Sequence, residues 1–219
     1  MGLIAVGDIH GCSRTLKALL KVLSPGPEDH LVFLGDYVGR GPDTRGVIHQ
    51  LLALSNQVKC TFLRGNHEQA MLDWLRGKKG THWLYFGGEE TRQSYVQGGK
   101  MEMPATHLSF LQSTTLYLET SEFFFVHAGF RPDCTVQENK RRADAEVFLR
   151  YRGHLRAAVP FWEKCVVFGH TPHSEPILTD RMIGIDTGCV FPERLGQGRL
   201  SAIRLPEREV IAVANQEFS

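Results

Sequence analysis

The sequence lacks any hydrophobic run long enough to cross a membrane as a helix, which takes roughly 18 residues or more. It also leaves no room for a signal peptide, because an apolar, strand-like segment already begins at Leu3. We therefore expect a cytoplasmic protein that has no membrane partner.

A strong charge of either sign is absent as well. Lys and Arg total 25, Asp and Glu total 24, and the formal net charge is +1. Such a chain has no overall field that would attract a nucleic-acid duplex or an anionic membrane surface. Any preference for a phosphate group must therefore come from a few basic side chains gathered at one site.

Clustered cysteines are missing too. The five cysteines are scattered and include no Cys-x-x-Cys pair: Cys12, Cys60, Cys134, Cys165 and Cys189. We expect them to be reduced thiols rather than a disulfide framework or a Cys-rich metal site.

The composition is that of a folded domain. The chain has 219 residues, of which 42% are apolar and 22% charged. This length and balance suit a soluble domain with a sizeable core. No repeat, low-complexity tract or linker interrupts the sequence, so we predict one domain over residues 1–219.

One pattern recurs along the chain: an apolar, strand-like run ends and a side chain able to bind a metal follows. A single Asp-x-His would be an ordinary polar turn, but the pattern occurs five times. The five runs are followed by Asp8 and His10, by Asp36, by Asn66, by His127 and by His170. Because ligands bind beyond the carboxyl ends of strands in α/β sheets, we expect these side chains to meet at one edge.

The remaining segments are less specific. Helical spacing of apolar residues follows each of the first three strands, and the final third predicts strands at Val166–Phe168, Met182–Ile185, Leu200–Leu205 and Val210–Val213. Asp186-Thr187-Gly188 predicts a turn that braces the site without binding a metal. The aromatic residues Trp83, Tyr85 and Phe86 could be core packing or one wall of a substrate groove.

The ligand types limit the chemistry. Carboxylate, imidazole and amide groups without thiolate suit Mn²⁺, Fe or Zn²⁺, and three histidines make Mg²⁺ a poorer match. Two such ions about 3.5–4 Å apart, bridged by one carboxylate, form the arrangement used for hydrolysis at phosphorus. They would acidify a bridging water and bind the phosphoryl oxygens of the substrate.

The motifs closely resemble those of the calcineurin-like metallophosphoesterases, and within them the phosphoprotein-phosphatase branch with its short bacterial members. They run in the family's order from residue 7 to residue 171: Gly7-Asp8-Ile9-His10-Gly11, Gly35-Asp36-Tyr37-Val38-Gly39-Arg40-Gly41, Gly65-Asn66-His67-Glu68, His127-Ala128-Gly129 and Gly169-His170-Thr171. The resemblance implies an α/β fold, a four-layer αββα sandwich with a dimetal site at the carboxyl ends of the strands.

The resemblance also implies roles for individual residues. Two divalent ions are expected, with Mn²⁺ first and Fe or Zn²⁺ as alternatives. Asp8 and His10 would hold one ion, Asp36 would bridge, and Asn66, His127 and His170 would hold the other.

The expected catalytic residues lie beside these ligands. Arg40 and Asn66 would contact the substrate phosphate, together with Arg150 or, as the open alternative, Arg152. His67 would be the general acid that protonates the leaving oxygen.

One departure bears on the substrate. Protein phosphatases carry Asp where this chain has Gly39, and that carboxylate partners the histidine matching His67. Without it the imidazolium loses an electrostatic partner, so the pKa of His67 should fall unless another acid substitutes. A seryl or threonyl leaving group needs a proton from such an acid, whereas a nucleotide phosphate does not.

Three functions follow from these features. We expect a dimetal phosphoester hydrolase in which a metal-bridging hydroxide attacks phosphorus in line. We expect its substrate to be a phosphoprotein or a small phosphoester, as in serine/threonine phosphatases and phosphomonoesterases. The reason is that the segment Tyr85–Thr91 resembles that of the short bacterial phosphatases. The alternative is a symmetrical diadenosine-tetraphosphate hydrolase, a sister branch that also lacks the acid. A catalytically silent binding scaffold is the third. No feature of the sequence indicates an oligomeric state.

Overall fold

The computed structural model describes residues 2–78, 82–142, 144–194 and 196–218. The strands, in chain order, are β1 (Leu3–Val6), β2 (His30–Phe33), β3 (Lys59–Phe62), β4 (Val96–Gln97), β5 (Lys100–Met101), β6 (Tyr117–Glu119), β7 (Phe123–Val126), β8 (Cys165–Phe168), β9 (Ile177–Leu178), β10 (Met182–Gly184), β11 (Arg199–Leu205) and β12 (Glu209–Ala214). The α-helices are α1 (Ser13–Leu23), α2 (Thr44–Ser55), α3 (Asn66–Leu75), α4 (Gly88–Ser94), α5 (Ala105–Ser113), α6 (Val136–Arg142) and α7 (Ala145–Arg150). Trp83–Phe86 and Gly153–Arg156 form short 3₁₀ helices.

The strands form two five-stranded sheets and one small hairpin. The first sheet has the order β12-β11-β1-β2-β3, and the second has the order β6-β7-β8-β10-β9. Strands β1, β2 and β3 are parallel to one another, as are β7, β8 and β10. Parallel neighbours end at the same edge of a sheet, so each sheet presents its polar strand ends together.

The alternation of side chains along each strand separates the layers. Along β7, Phe123 and Phe125 face the other sheet, whereas Phe124 and Val126 face outward. Between the two sheets lies an apolar core that includes Ala5, Val32, Leu34, Phe125, Val167, Ile183 and Ile203. Because successive residues of a strand point to opposite faces, these strands pack on both sides, and β7 and β8 are apolar throughout.

Helices cover both outer faces. The first sheet packs against apolar residues of α1, α2, α3 and α5, namely Leu16, Leu19, Val47, Ile48, Leu51, Met71, Leu72, Phe110 and Leu111. The second sheet packs against Phe130, Val136, Phe148 and Trp162, which lie on or beside α6 and α7. The four-layer αββα sandwich expected from the sequence is confirmed.

The predicted strands are confirmed with small shifts at their ends. The run predicted at Met182–Ile185 ends one residue earlier, and the run predicted at Leu200–Leu205 begins one residue earlier. Among the described residues, no helix is long and apolar enough to cross a membrane.

Candidate metal centre

Five strand ends place the predicted ligands together. Asp8 and His10 follow β1, Asp36 follows β2, and Asn66 begins α3 just after β3. His127 and His170 follow β7 and β8 of the other sheet. The site therefore lies where the carboxyl ends of strands from both sheets meet.

The backbone at the site is unusual. Among the described residues, the non-glycine positions with positive φ include His10 at 48°, Asp36 at 52°, Arg40 at 69° and His170 at 66°. Left-handed conformations cost free energy in residues with a Cβ and are retained where surrounding contacts hold them. Four predicted site residues thus share a conformation that is rare elsewhere in the chain.

Asp36 lies between two groups of ligand atoms. Its Oδ2 atom is 3.5 Å from Nε2 of His10, and its Oδ1 atom is 3.5 Å from Nε2 of His127. The first group joins Asp36 with His10 and His67, and the second joins Asp36 with His127 and His170, with ligand atoms within 4.8 Å of one another in each group. A carboxylate shared by two groups has the geometry of a bridging ligand.

The protons of two histidines are held away from this centre. Nδ1 of His127 lies 2.8 Å from the carbonyl oxygen of Leu34, and Nδ1 of His10 lies 3.1 Å from that of Val38. Since a carbonyl only accepts, each Nδ1 carries the hydrogen and each Nε2 is left with a lone pair.

Side-chain nitrogen and oxygen atoms face one another at the second group, beside Asn66. Nε2 of His127 lies 3.1 Å from Oδ1 of Asn66 and 3.2 Å from Nδ1 of His170. A bare lone pair beside an amide oxygen is unfavourable unless a cation lies between them. This nitrogen and oxygen donor set fits a divalent metal ion of the borderline type.

Asp8 is held by the backbone of the loop that carries His170. Its two carboxylate oxygens each lie 3.1 Å from the backbone nitrogen of His170, which donates to them. In the first ligand group the third member is His67, not Asp8. Burial raises the pKa of Asp8 well above its usual value, and Asp186 and Asp36 raise it further, so all three carboxyl groups are near one another.

Burial disfavours the charged forms of the side chains at the site, so it raises carboxyl pKa values and keeps the histidines neutral. It raises the pKa of Asp36 to about 6 and lowers the pKa of His127 to about 4. The pKa values of His10 and His67 also fall well below the usual range, chiefly through burial and then through the nearby Arg40 charge. Neutral imidazole is the form that binds metal, so the site is prepared for ions at neutral pH.

The ring of His67 lies against Gly39. Its Nδ1 atom is buried and has no hydrogen-bond partner among the described residues. A Cβ built on Gly39 would overlap Nδ1 and lie 3.1 Å from Cε1, so the glycine fills the place next to the ring. The ring of His10 also packs beside it, with ring centroids 4.7 Å apart.

Three arginines surround the opening. Nη1 of Arg40 donates to Nε2 of His10 over 2.6 Å, Arg150 pairs with Glu146 at 2.9 Å, and Nε of Arg152 donates to the Thr171 hydroxyl over 3.1 Å. All three line a cavity of about 580 Å³ together with His67 and Asn66. Both arginines that the sequence left as alternatives therefore face the same space.

Sequence reasoning missed the role of Glu68. This side chain is completely buried, and its two oxygens accept the backbone N–H groups of Asp36, Gly65, Tyr37 and Val38 at 2.8–3.1 Å. Burial raises its pKa to about 7. A Glu at the third position of helix α3 is a capping signal that could have indicated it.

Thr91 is a second residue that was missed. Its hydroxyl oxygen accepts the backbone N–H of Gly39 at 2.8 Å and lies 3.0 Å from the Thr44 hydroxyl. The carbonyl of Gly87 likewise accepts the N–H of Arg40 at 2.8 Å. Helix α4 and the residue before it thus hold the loop that carries Arg40.

Asp186 lies where the sequence placed a bracing turn. Its carboxylate accepts the N–H of Gly188 at 2.9 Å, and its backbone carbonyl accepts the N–H of His173 at 3.0 Å. Burial raises its pKa to about 7. These contacts fix the loop after β10 next to Asp8.

Comparison with known proteins adds an independent line of evidence. Residues 1–194 match the family described as calcineurin-like phosphoesterase. An asymmetrical bis(5'-nucleosyl)-tetraphosphatase, PrpE of Anoxybacillus flavithermus, is 29% identical over 234 residues, covering 95% of this chain and 92% of its own. Serine/threonine-protein phosphatase 1 of Salmonella typhimurium is 32% identical over 206 residues, covering 89% and 90%.

Solved structures agree on the fold. A protein proposed to be a diadenosine tetraphosphatase superposes with a TM-score of 0.72 at 26% identity, covering 98% of this chain and 93% of its own. A cold-active protein-tyrosine phosphatase of a psychrophilic Shewanella gives 0.66 at 18% identity, covering 99% and 78%, which is evidence for the fold alone.

Proposed function

The chain belongs to the calcineurin-like phosphoesterase family of hydrolases, and we propose that its substrate is a dinucleoside polyphosphate. The sequence favoured a phosphoprotein or small phosphoester and kept this class as the alternative. The observation that carries the proposal is the buried Nδ1 of His67, which lies against Gly39 and has no hydrogen-bond partner among the described residues.

The leaving group decides between the two substrate classes. A seryl or threonyl oxygen must be protonated as it departs, so its hydrolysis depends on a charged imidazolium or an equivalent acid. Among the described residues no carboxylate is hydrogen-bonded to Nδ1 of His67 to stabilise that charge, and the neighbouring Arg40 opposes it. A nucleotide departs as a stable phosphate anion and needs no such proton.

The positive charges at the opening also support a polyphosphate. Arg40, Arg150 and Arg152 all line the cavity. A guanidinium binds two phosphate oxygens at once, so three of them match a chain of several phosphates better than one phosphomonoester.

The name of one relative supports the same substrate class and specifies the cleavage pattern. The nucleosyl-tetraphosphatase of A. flavithermus is named asymmetrical. We therefore propose that diadenosine tetraphosphate is cleaved to ATP and AMP. The symmetrical reaction, which was the alternative expected from the sequence, would instead give two ADP molecules.

Each group of site residues has a separate proposed role. The family binds two divalent ions, which when bound would supply Lewis acidity and a nucleophile at neutral pH. We assign their ligands to Asp36, His10, His127, His170 and Asn66, with Asp8 completing the set. Arg40, Arg150 and Arg152 would orient the phosphate chain, and His67 would contribute one hydrogen bond as a neutral ring.

The test compares substrates on one preparation. The Mn²⁺-loaded protein is assayed on diadenosine tetraphosphate, on a phosphothreonine peptide and on an aryl phosphate, with Asp36→Asn as the blank for contaminating activity. We expect kcat/KM for the dinucleotide to exceed that for the peptide by about a hundredfold or more, a difference of about 2.7 kcal/mol. Equal or better use of the peptide would overturn the proposal.

The same assay also tests whether the protein is a phosphoprotein phosphatase or a binding scaffold. The Salmonella relative keeps phosphoprotein phosphatase as the second candidate, and efficient peptide hydrolysis would establish it. Bound metal without turnover on any of the three substrates would indicate a binding scaffold.

A further inference from the structure

Aromatic side chains gather beside the metal centre on the surface. Tyr85, Phe86, Phe191 and Phe218, here called the aromatic shelf, line a shallow depression of about 420 Å³ next to Arg40. Tyr85 is 87% exposed, Phe86 is 67% exposed and Phe218 is 53% exposed. Such large rings are usually buried, so a group of them on the surface marks a place where a ligand binds.

The aromatic shelf is not a continuation of the core. Trp83 belongs to the same short helix as Tyr85 and Phe86, yet it is 2% exposed and packs in the core against the first sheet. Trp83 is therefore a core residue. Tyr85 and Phe86 are the two rings of this short helix that can form one wall of a substrate groove.

Arg40 connects the shelf with the metal centre. It lines both the 580 Å³ cavity and the shelf depression, as does Phe86. Its guanidinium carbon lies 5.3 Å from the ring centroid of Phe191, while its Nη1 atom contacts His10. A phosphate bound by this arginine would therefore lie between the metal ligands and the aromatic rings.

The rim of the depression carries acceptors. Glu90 and Glu193 line it and are exposed. One flank of Phe191 is covered by Arg194, whose guanidinium carbon is 3.7 Å from the ring centroid. Flat rings with carboxylates at the edge are suited to a planar heterocycle that carries an amino group, since the base stacks on the rings and the carboxylate accepts from the amino group.

We infer that the aromatic shelf binds the nucleobase at one end of the substrate, while the phosphate chain passes over Arg40 to the metal centre. This inference rests on the proposed function and specifies its substrate site. Adenine, guanine and cytosine have an exocyclic amino group for Glu90 or Glu193, whereas uracil does not. The shelf should therefore favour the first three bases over uracil.

The test removes two exposed rings that have no role in the metal centre. The variant is Tyr85→Ala combined with Phe218→Ala, and the control is Phe161→Ala, a ring that is 72% exposed outside the shelf. Loss of stacking should raise KM for diadenosine tetraphosphate by about ten- to a hundredfold and leave kcat within twofold. Hydrolysis of inorganic tripolyphosphate, which has no base, should be unchanged.

A binding measurement separates the site from turnover. Calorimetric titration with a methylene-bridged, non-hydrolysable diadenosine tetraphosphate should show Kd rising by the same factor in the double variant and not in the control. Diuridine tetraphosphate should have a higher KM than diadenosine tetraphosphate with the wild type. Its KM should also change less in the double variant.

The outcomes distinguish the two proposals. If the wild type hydrolyses diadenosine tetraphosphate and the double variant matches it in KM and Kd, the shelf inference is overturned and the proposed function stands. If the wild type neither binds the analogue nor hydrolyses the dinucleotide, both are overturned. Equal losses on tripolyphosphate and dinucleotide would indicate structural damage and would also reject the shelf.

Discussion

The Nδ1 atom of His67 packs directly against Gly39, which stands where protein phosphatases carry an aspartate. The φ angle of Gly39 is +88°, a conformation that side chains with a Cβ rarely adopt. Position 39 is therefore constrained twice, by the backbone and by the ring beside it. An acid at this position would require His67 or the loop to move.

The first prediction concerns this contact. Gly39→Asp should lower the free energy of unfolding by about 1–3 kcal/mol, because of the left-handed backbone and the overlap with His67. If the carboxylate reaches the ring, turnover of a phosphoserine peptide should rise relative to that of an aryl phosphate.

Gly39→Ala is the matched control, since it introduces the same backbone strain without the acid. Denaturant titration measures the stability of both variants, and kinetics measure the ratio. Identical ratios in the Asp and Ala variants would show that the missing acid does not influence substrate choice.

The second prediction concerns the shared carboxylate. Asp36→Asn should reduce kcat/KM at least about a thousandfold, roughly 4 kcal/mol of transition-state stabilisation, because one residue serves both ligand groups. Bound metal per chain should fall in parallel. Asp186→Asn is the control, because that carboxylate braces a turn. Retention of two ions and near-normal kcat in Asp36→Asn would refute the bridging role.

The third prediction concerns Glu68. Replacement by Gln leaves an NH₂ group facing backbone N–H donors, so about 2–4 kcal/mol of stability should be lost. Urea denaturation at pH 8 is the measurement, because the pKa of about 7 leaves the carboxylate ionised there. Glu89→Gln on the surface should change stability by less than about 0.5 kcal/mol. Similar small changes in both variants would contradict the buried hydrogen-bond network.

The fourth prediction concerns pH. Binding of Mn²⁺ requires ionised carboxylates, and burial raises the pKa of Asp36 from 3.8 to about 6. Affinity should therefore be highest above pH 7 and fall as the pH is lowered through about 6. His127 has a pKa of about 4, so it stays neutral over this range and adds no dependence. Calorimetric titration with Mn²⁺ between pH 5 and 8 measures this affinity. A constant affinity down to pH 5 would contradict the raised pKa of the Asp36 carboxyl group.

Much of the architecture was accessible from the sequence because of its local pattern. Short apolar runs such as Phe123–Val126 favour buried strands, and each ends at a ligand-type residue. Since neighbouring parallel strands end at a common edge, the ends of β7 and β8 bring His127 and His170 together. That Asp36 of the first sheet meets them depends on how the two sheets pack.

The sequence by itself determined the family and, through that resemblance, the layered fold, because motifs of a few adjacent residues carry it; the same motifs predicted a set of metal ligands. Only the tertiary structure decided relations between distant positions. It placed Gly39 against His67, gave Glu68 four backbone donors, brought both Arg150 and Arg152 to the cavity, and joined Tyr85 with Phe218 in one shelf. Such contacts depend on how the sheets and loops pack in three dimensions, and no local pattern along the chain records them.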